Sequence, residues 1–198
     1  MPVSKPPSKV EIIRTDRLLN AFIDVDNVTF RHETFAGPMS APLERQAYLT
    51  RQACGVVIYD TEIDKLIFVR QFRLQGHLVG HGWVIELAAG MLDEGEDPAE
   101  TAIREVAEET GYEVDRVEHV STYLTAPGVM TEQIHIFYAE VQGRARVATG
   151  LDEEGEDIET IALTPAEADA MLKSGEIRDG KTMIGLMWWL HRREGASA

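Results

Sequence analysis

Cysteines, basic residues and long apolar runs are all scarce in this sequence. Cys54 is the only cysteine among 198 residues, so the chain cannot form an intrachain disulfide. Lysine and arginine number 19 against 34 aspartates and glutamates, and the resulting net charge of −15 would repel phosphate polymers and anionic lipid surfaces. The longest apolar-looking run, 183–190, is too short to span a bilayer. We therefore expect neither a nucleic acid nor a membrane as a partner.

The amino-terminal residues also lack the pattern of an exported protein. The segment MPVSKPPSK, residues 1–9, contains no apolar stretch of the kind that a secretory signal requires. The apolar fraction of 44% is ample for a packed core in a chain of this length. We therefore expect a globular cytoplasmic protein.

Residues 90–112, GMLDEGEDPAETAIREVAEETGY, combine a glycine turn, a helix start and a concentration of glutamates. Asp97 can cap a helix amino terminus, Pro98 suits the first helical position, and Gly111 can end the helix. Apolar or small residues recur within it at three- and four-residue spacing, which predicts one buried face. These residues are Ala99, Ala102, Ile103, Val106 and Thr110.

Three glutamates border that face. Glu105 and Glu109 are four residues apart and Glu108 is three from Glu105, so their side chains project together and their mutual repulsion favours a cation among them. Arg104 can offset only part of this charge. Clustered carboxylates suit Mg²⁺ or Mn²⁺, which also bind substrate phosphates. A solvated acidic helix face would contain the same cluster, so the cluster alone leaves both interpretations open.

The spacing across the whole segment is more specific than the cluster. Gly90, five residues, Glu96, seven residues and then REVAEETGY (104–112) resembles the signature of the Nudix hydrolases. Only the final position differs, because Tyr112 replaces an aliphatic residue. The chain is identified as a member of that family over about residues 45–190.

The resemblance implies an α+β fold, a Nudix-type α/β/α sandwich with a central mixed sheet and a small N-terminal β extension. The order of the predicted elements supports this fold independently, because it lacks βαβ alternation. We expect residues 1–44 to form N-terminal strands used for dimerisation and residues 45–198 to form the Nudix hydrolase domain.

The remaining sequence predicts the individual elements. The expected strands are one or two within 18–30, then 44–49, 52–59, 65–72, 83–87, 118–124 and 133–141. Residues 75–82 are expected to form a glycine-rich loop, and 142–157 an acidic one. Two further helices are expected, one from a capping box at Thr164 to Ser174 and one over 181–193. Trp188 and Trp189 in the last helix are expected to make core or dimer contacts.

The resemblance also implies a metal site. By resemblance Glu105 and Glu109 are catalytic and bind the metal directly, Glu108 shares a second metal ion, and the backbone carbonyl of Ala89 completes the site. Mg²⁺ is the expected ion, with Mn²⁺ as a substitute. Glu96 is expected to brace the loop before the helix through an ion pair with Arg104.

Other segments narrow the substrate. ELAAG (86–90), RQFR (70–73) and Pro127-Gly128 resemble the ADP-ribose pyrophosphatase branch of the family and its nucleoside diphosphate sugar relatives. SGEIRDGKT (174–182) resembles the relatives in that branch that hydrolyse GDP-mannose. The implied activity is hydrolysis of ADP-ribose to AMP and ribose 5-phosphate, with GDP-mannose or another sugar nucleotide as the alternative.

The same branch keeps a catalytic base in an acidic loop. EEGEDI (153–158) matches that loop, and by resemblance Glu154 is the base and Glu156 a further metal ligand. A plain solvated loop is the alternative interpretation.

Arginines are the candidates for substrate binding, because a guanidinium can hold a phosphate with two hydrogen bonds or stack on a base. Arg73 follows a predicted strand and is expected at the diphosphate, and Arg45 is expected to face the base. Because this branch exchanges its N-terminal strands between subunits, the resemblance implies a homodimer in which Phe22 of the partner stacks on the base. A surface arginine and a core phenylalanine are the alternatives for Arg45 and Phe22.

Three other functions fit the sequence less well. A non-catalytic nucleotide-sugar sensor would be expected to have lost carboxylates of the signature, and none is lost. An isoprenoid diphosphate isomerase would need a cysteine in an active-site loop, whereas Cys54 lies in a predicted strand, where a buried thiol is expected. A zinc site at His77 and His81 would need further ligands and a helix, which the surrounding glycines disfavour.

Overall fold

The structure is a computed structural model that describes residues 5–143 and 157–196. The chain divides into two compact units. The smaller unit comprises Met1–Arg51 and Leu124–Glu132, and the larger comprises Gln52–Tyr123 and Gln133–Ala198. No helix in the described part of the chain is long and apolar enough to cross a membrane.

The smaller unit contains a three-stranded antiparallel sheet in the order β1-β2-β3. Its strands are β1 (Val10–Leu19), β2 (Asp24–His32) and β3 (Leu43–Leu49). Segment 18–30 therefore contributes to two strands joined by a turn at 20–23. Side chains of β1 are exposed along nearly its whole length, although several are large and apolar.

The larger unit is built on a seven-stranded sheet with the path β10-β5-β4-β9-β8, to which β6 adds on β5 and β7 on β4. Strand β4 runs parallel to β9 and antiparallel to β5 and β7, so the sheet is mixed. The strands are β4 (Ala53–Asp60), β5 (Lys65–Phe72), β6 (Trp83–Glu86), β7 (Ala88–Met91), β8 (Glu118–Leu124), β9 (Gln133–Val141) and β10 (Ile158–Leu163).

The described chain contains the helices α1 (Leu74–Leu78), α2 (Pro98–Thr110), α3 (Pro165–Ser174) and α4 (Gly180–Ala196). Local sequence signals set the ends of α2 and α3. The carboxylate of Asp97 accepts a hydrogen bond from the Ala99 amide at 2.7 Å, and Gly111 ends α2 in the left-handed conformation with φ of 71°. The capping box predicted at Thr164 is formed with Glu167.

Helices cover both faces of this sheet. Successive side chains of a strand point to opposite faces, so Val56 packs in the cluster that contains Val106 of α2, and Val57 packs in the cluster that contains Leu186 of α4. Because β4 is buried on both sides, its sequence is a continuous apolar run. The predicted α+β fold, an α/β/α sandwich with a central mixed sheet, is confirmed.

Two details differ from the sequence predictions, whereas the two tryptophans of the last helix follow theirs. Residues 74–78 form a short helix within the expected loop, and Gly76 permits it, because a Cβ there would overlap the carbonyl oxygen of His81. Strands β7 and β10 were not predicted. Trp189 is buried in the core, so the last helix packs its tryptophans inward, with Trp188 against the ring of Tyr138.

Candidate active site

The carboxylates of α2 lie against the backbone of β7. A Cβ built at Gly90 would overlap the carboxylate of Glu105, so the absence of a side chain at this glycine makes room for the acid. Glu109 is buried, and its Oε2 accepts a hydrogen bond from the Ala89 amide at 2.9 Å. The two acids therefore contact adjacent residues of β7, Ala89 and Gly90, and the strand fixes their positions.

Arg104 neutralises part of this charge. Its Nη1 lies 2.8 Å from Glu105 Oε1 and 2.9 Å from Glu108 Oε2, and its Nε lies 3.6 Å from Glu96 Oε1. The expected ion pair between Glu96 and Arg104 is therefore present. Burial disfavours the charged guanidinium, but the carboxylates of Glu105 and Glu108 outweigh burial and raise the pKa of Arg104.

The donor types in this site suit a hard divalent cation. Glu105, Glu108 and Glu109 supply carboxylate oxygens. That of Glu109 accepts from the Ala89 amide, and that of Glu105 lies against Gly90. Across residues 5–143 and 157–196, no three histidine, cysteine, aspartate or glutamate side chains are already grouped as a metal site. Arg104 forms ion pairs with two of the acids, Glu105 and Glu108. The residues fit a divalent cation in kind, and Glu154 and Glu156 lie outside the described residues.

A second cluster of charged side chains surrounds Glu86, which lies three residues before Ala89 in the chain. Arg73, just before α1, donates from Nε to Glu86 Oε2 at 2.8 Å. Lys181 of α4 donates from Nζ to Glu86 Oε1 at 2.6 Å and lies 3.1 Å from Asp179 Oδ1. Sequence reasoning placed Arg73 at the diphosphate but gave no role to Glu86 or Lys181.

Residues 87–89 connect the two charged groups. The Leu87 amide donates to Thr182 Oγ1 at 2.8 Å, and the Ala89 amide donates to Glu109. Thr182 is held in turn by Asp179, which accepts hydrogen bonds from its amide and its hydroxyl. Helices from opposite layers of the sandwich therefore fix this corner.

The two candidates for base recognition lie in the smaller unit. Arg45 is exposed on β3 and donates from Nη1 to the carbonyl of Glu44 at 2.7 Å. Phe22 lies in the turn between β1 and β2 and is 81% exposed, so it is not a core residue of its own chain.

Cys54 is fully buried in β4, as expected, and burial raises the pKa of its thiol to about 12. A thiol so buried and so weakly acidic does not fit the nucleophile that an isomerase would need. The centroid of the His77 ring lies 5.6 Å from that of the Phe72 ring, and His81 contacts Arg178.

An α/β/α sandwich whose carboxylate-bearing helix is seated on a strand glycine defines a Nudix-type protein. The chain belongs to the NUDIX family, since the family model described as NUDIX domain matches residues 49–184. The predictions of this family and of a Nudix pyrophosphohydrolase are confirmed. Nudix hydrolases generally need a divalent metal ion.

Relatives match nearly the full chain. It is 34% identical over 184 residues to the ADP-ribose pyrophosphatase of Haemophilus influenzae, covering 90% of this chain and 85% of that protein. It is 31% identical over 190 residues to the ADP-ribose pyrophosphatase of Escherichia coli K12, covering 95% and 91%. It is 35% identical over 185 residues to the GDP-mannose pyrophosphatase of Citrobacter koseri, covering 92% and 95%.

A solved structure supports the fold. The crystal structure described as that of an ADP compounds hydrolase superimposes with a TM-score of 0.72, at 19% identity, and covers 98% of each chain. At this identity the likeness concerns the fold.

Proposed function

We propose that this protein hydrolyses the diphosphate of a nucleoside diphosphate sugar, with ADP-ribose as the preferred substrate and AMP and ribose 5-phosphate as products. The observation that carries the proposal is the seating of Glu105 and Glu109 on the Ala89–Gly90 backbone. This arrangement holds two hard anionic donors against the backbone of one strand. The names of the relatives supply the substrate class.

The net charge of −15 makes a cation necessary for such a substrate. Glu105, Glu108 and Glu109, with the carbonyl of Ala89, would hold Mg²⁺, for which Mn²⁺ can substitute. When bound, the ion supplies charge neutralisation of the diphosphate and a more acidic water. The protein's part is to fix the donors, which the backbone of β7 and the guanidinium of Arg104 accomplish.

We assign the general base to Glu154 and a further metal ligand to Glu156, on the sequence of the acidic loop. In this role Glu154 accepts a proton from the attacking water as the water bonds to phosphorus and the bridging oxygen leaves. The hydrolysis consumes one water and needs no redox partner.

Arg73 is assigned to the diphosphate and Arg45 to the base. The side chain of Arg73 is 40% exposed and is anchored at its Nε by Glu86, which leaves the rest of the guanidinium fork available to an anion. Arg45 is exposed, and its hydrogen bond to the Glu44 carbonyl involves one of its two terminal nitrogens.

The active protein is proposed to be a homodimer in which residues 18–30 complete the partner's substrate site. Exposed large apolar side chains on β1 and its turn support this proposal, since such a surface normally has a partner. They are Val10, Ile12, Ile13, Leu18, Leu19 and Phe22. Phe22 of the partner would stack on the base. The small-molecule substrate is proposed from the resemblance and from the names of the relatives. The absence of nucleic acid and membrane partners is predicted from the net charge, and a cytoplasmic setting from the single cysteine.

GDP-mannose is the second candidate substrate. Two observations favour it: the 35% identity to a GDP-mannose pyrophosphatase and the segment 174–182, whose Lys181 shares the carboxylate of Glu86 with Arg73.

A substrate panel tests the proposal. Purified protein is incubated with Mg²⁺ and equal concentrations of ADP-ribose, GDP-mannose, other sugar nucleotides and dinucleotides, and the products are separated by chromatography. We expect AMP from ADP-ribose at the highest kcat/KM. A higher kcat/KM for GDP-mannose would reverse the order of the two candidates, and no hydrolysis of any sugar nucleotide would refute the function.

A further inference from the structure

The larger unit holds a charge network, centred on the buried side chains of Glu86 and Lys181, that is separate from the acids of α2. It consists of Arg73, Glu86, Lys181 and Asp179, with ion pairs of 2.8 Å between Arg73 and Glu86, 2.6 Å between Lys181 and Glu86, and 3.1 Å between Lys181 and Asp179. Two cations and two anions give no net formal charge. One cation would be enough to compensate the buried carboxylate of Glu86. The presence of two therefore needs a separate explanation.

Glu86 is shared evenly between its partners. Its side chain is only 6% exposed, its Oε2 accepts from Arg73, and its Oε1 accepts from Lys181. A buried carboxylate that loses its only cation is strongly disfavoured, because neither water nor another charge then compensates it. With two cations, Glu86 can lose one and remain paired.

The two cations, Lys181 and Arg73, differ in exposure and in the number of carboxylates that hold them. The side chain of Lys181 is 10% exposed, and Asp179 holds its ammonium from a second side. Burial disfavours the charged ammonium, but Glu86 and Asp179 outweigh burial and raise the pKa of Lys181. Arg73, by contrast, is 40% exposed and has Glu86 as its ion-pair partner among the described residues. Arg73 is therefore the cation able to leave.

We propose that Lys181 is a positioning residue that keeps Glu86 compensated while the guanidinium of Arg73 moves from Glu86 to the substrate's diphosphate. The proposal rests on the proposed function, which places Arg73 at the diphosphate. Lys181 touches no substrate in this role. It lowers the cost of releasing Arg73, so it acts on diphosphate affinity through Arg73.

The test measures binding of methylenediphosphonate, a diphosphate that cannot be hydrolysed, with Mg²⁺ present, by titration calorimetry. Lys181→Met removes the second cation at nearly constant shape, so Glu86 retains Arg73 and affinity should fall about tenfold, within the usual range of coupling between sites. Lys173→Met is the matched control, because Lys173 is an exposed lysine of α3 that pairs with Asp169. The control should bind like the wild type.

Two double variants separate positioning from damage to the structure. Glu86→Gln with Lys181→Met removes the charge that retains Arg73, so affinity should return to within about threefold of Glu86→Gln alone. Arg73→Gln with Lys181→Met should bind no more weakly than Arg73→Gln alone, because Lys181 acts only through Arg73. Melting temperatures show which variants are folded. If Lys181→Met does not fold alone, Glu86→Gln with Lys181→Met is compared with Glu86→Gln, in which residue 86 is neutral.

Three results would overturn the proposal. The first is that Lys181→Met binds diphosphate like the control, and the second is that Glu86→Gln does not restore affinity in a folded double variant with Lys181→Met. The third is that Arg73→Gln with Lys181→Met binds diphosphate more weakly than Arg73→Gln alone. A wild type that does not bind Mg²⁺-diphosphate would overturn it as well. If diphosphate binds and Lys181→Met weakens it, but no sugar nucleotide is hydrolysed, only the proposed activity fails.

Discussion

The hydroxyl of Tyr112 donates a hydrogen bond to Oδ2 of Asp60 at 2.9 Å inside the larger unit, and both side chains are buried. The other oxygen of Asp60 accepts from the amides of Glu62 and Ile63 in the turn after β4. Tyr112 occupies the one position at which the sequence departs from the Nudix signature. Its ring lies in the same core cluster as Val106, so it provides apolar contacts like those of an aliphatic residue and adds a donor for a buried carboxylate.

Tyr112→Phe should destabilise the fold by about 1–3 kcal/mol, the usual cost of leaving a buried acceptor without its donor. Denaturant unfolding followed by circular dichroism measures this change. Activity per folded molecule should remain unchanged, because the bond joins the end of α2 to a turn and involves none of the proposed ligands. Equal stability of the variant and the wild type would show that another donor reaches Asp60.

The pH dependence of stability provides a control for this prediction. Burial and then the bond to Asp60 raise the pKa of Tyr112 to about 12, from the ordinary value of 10.0 for a tyrosine. Because the folded state holds the proton more tightly than the unfolded state, the stabilisation is complete below pH 10 and falls as pH rises from about 10 to 12. The stability difference between wild type and Tyr112→Phe should therefore narrow over that interval.

Glu109→Gln should abolish turnover while leaving the protein folded. The amide oxygen of glutamine can still accept from the Ala89 amide, but a neutral group is a poor ligand for Mg²⁺. Glu100→Gln is the matched control, since Glu100 is an exposed glutamate in the first turn of the same helix. Steady-state kinetics at saturating Mg²⁺ provide the measurement. A kcat like that of the wild type would refute the ligand assignment.

Gly90→Ala should reduce activity as strongly as loss of a ligand, although it alters no charge. The added Cβ would occupy the space of the Glu105 carboxylate, so the acid must swing away from β7. Titration calorimetry with Mn²⁺ should show a weaker site. At Gly195, by comparison, an added Cβ meets nothing within 4 Å, and Gly195→Ala should be neutral. Full activity of Gly90→Ala would mean that Glu105 functions from another position.

Glu154→Gln should reduce kcat by at least about a hundredfold with a modest change in KM, as expected for removal of a general base. Glu156→Gln should instead show a raised requirement for Mg²⁺. Comparison of both variants over a range of Mg²⁺ concentrations separates the two roles. If Glu156→Gln loses kcat and Glu154→Gln does not, the assignments are exchanged.

Deletion of residues 1–30 should convert the protein to a monomer in sedimentation and raise KM for the sugar nucleotide, because the proposed partner contact is lost. Phe22→Ala tests the stacking alone. Phe35→Ala is its control, since Phe35 in the same unit is 86% exposed, close to the 81% of Phe22. Only Phe22→Ala should raise KM. A truncated protein that remained dimeric with unchanged KM would refute strand exchange.

The parts of the fold that were predicted from sequence are those whose signals lie within a few residues of one another. Strand β5 matches the predicted 65–72, and α3 runs from the predicted capping box to Ser174. Asp97 and Gly111 marked both ends of α2, and the three- and four-residue spacing placed Val106 in the core. Caps, turns and periodicity involve neighbours within a few residues, so one sequence contains them.

The missed features depend on distant partners. Ala88–Met91 has no apolar alternation, and it is a strand because it pairs with β4. Glu86 and Lys181 are separated by 95 residues, so no local pattern reports their contact. Within the candidate site, the glutamates of α2 followed from spacing and resemblance, whereas their seat on Gly90 required the packing of two elements. Gly76 was misleading, because the glycine that suggested a loop is the residue that lets a helical turn close against His81.

The corner at residues 87–89 limits how this protein can evolve. Its amides are held from one layer by Thr182 and from the other by Glu109, so the final helix and the acidic helix share one support. A descendant that adopts another sugar by changing the segment around Thr182 must retain the Thr182 hydroxyl, or the strand that positions the proposed catalytic acids loses one of its two supports.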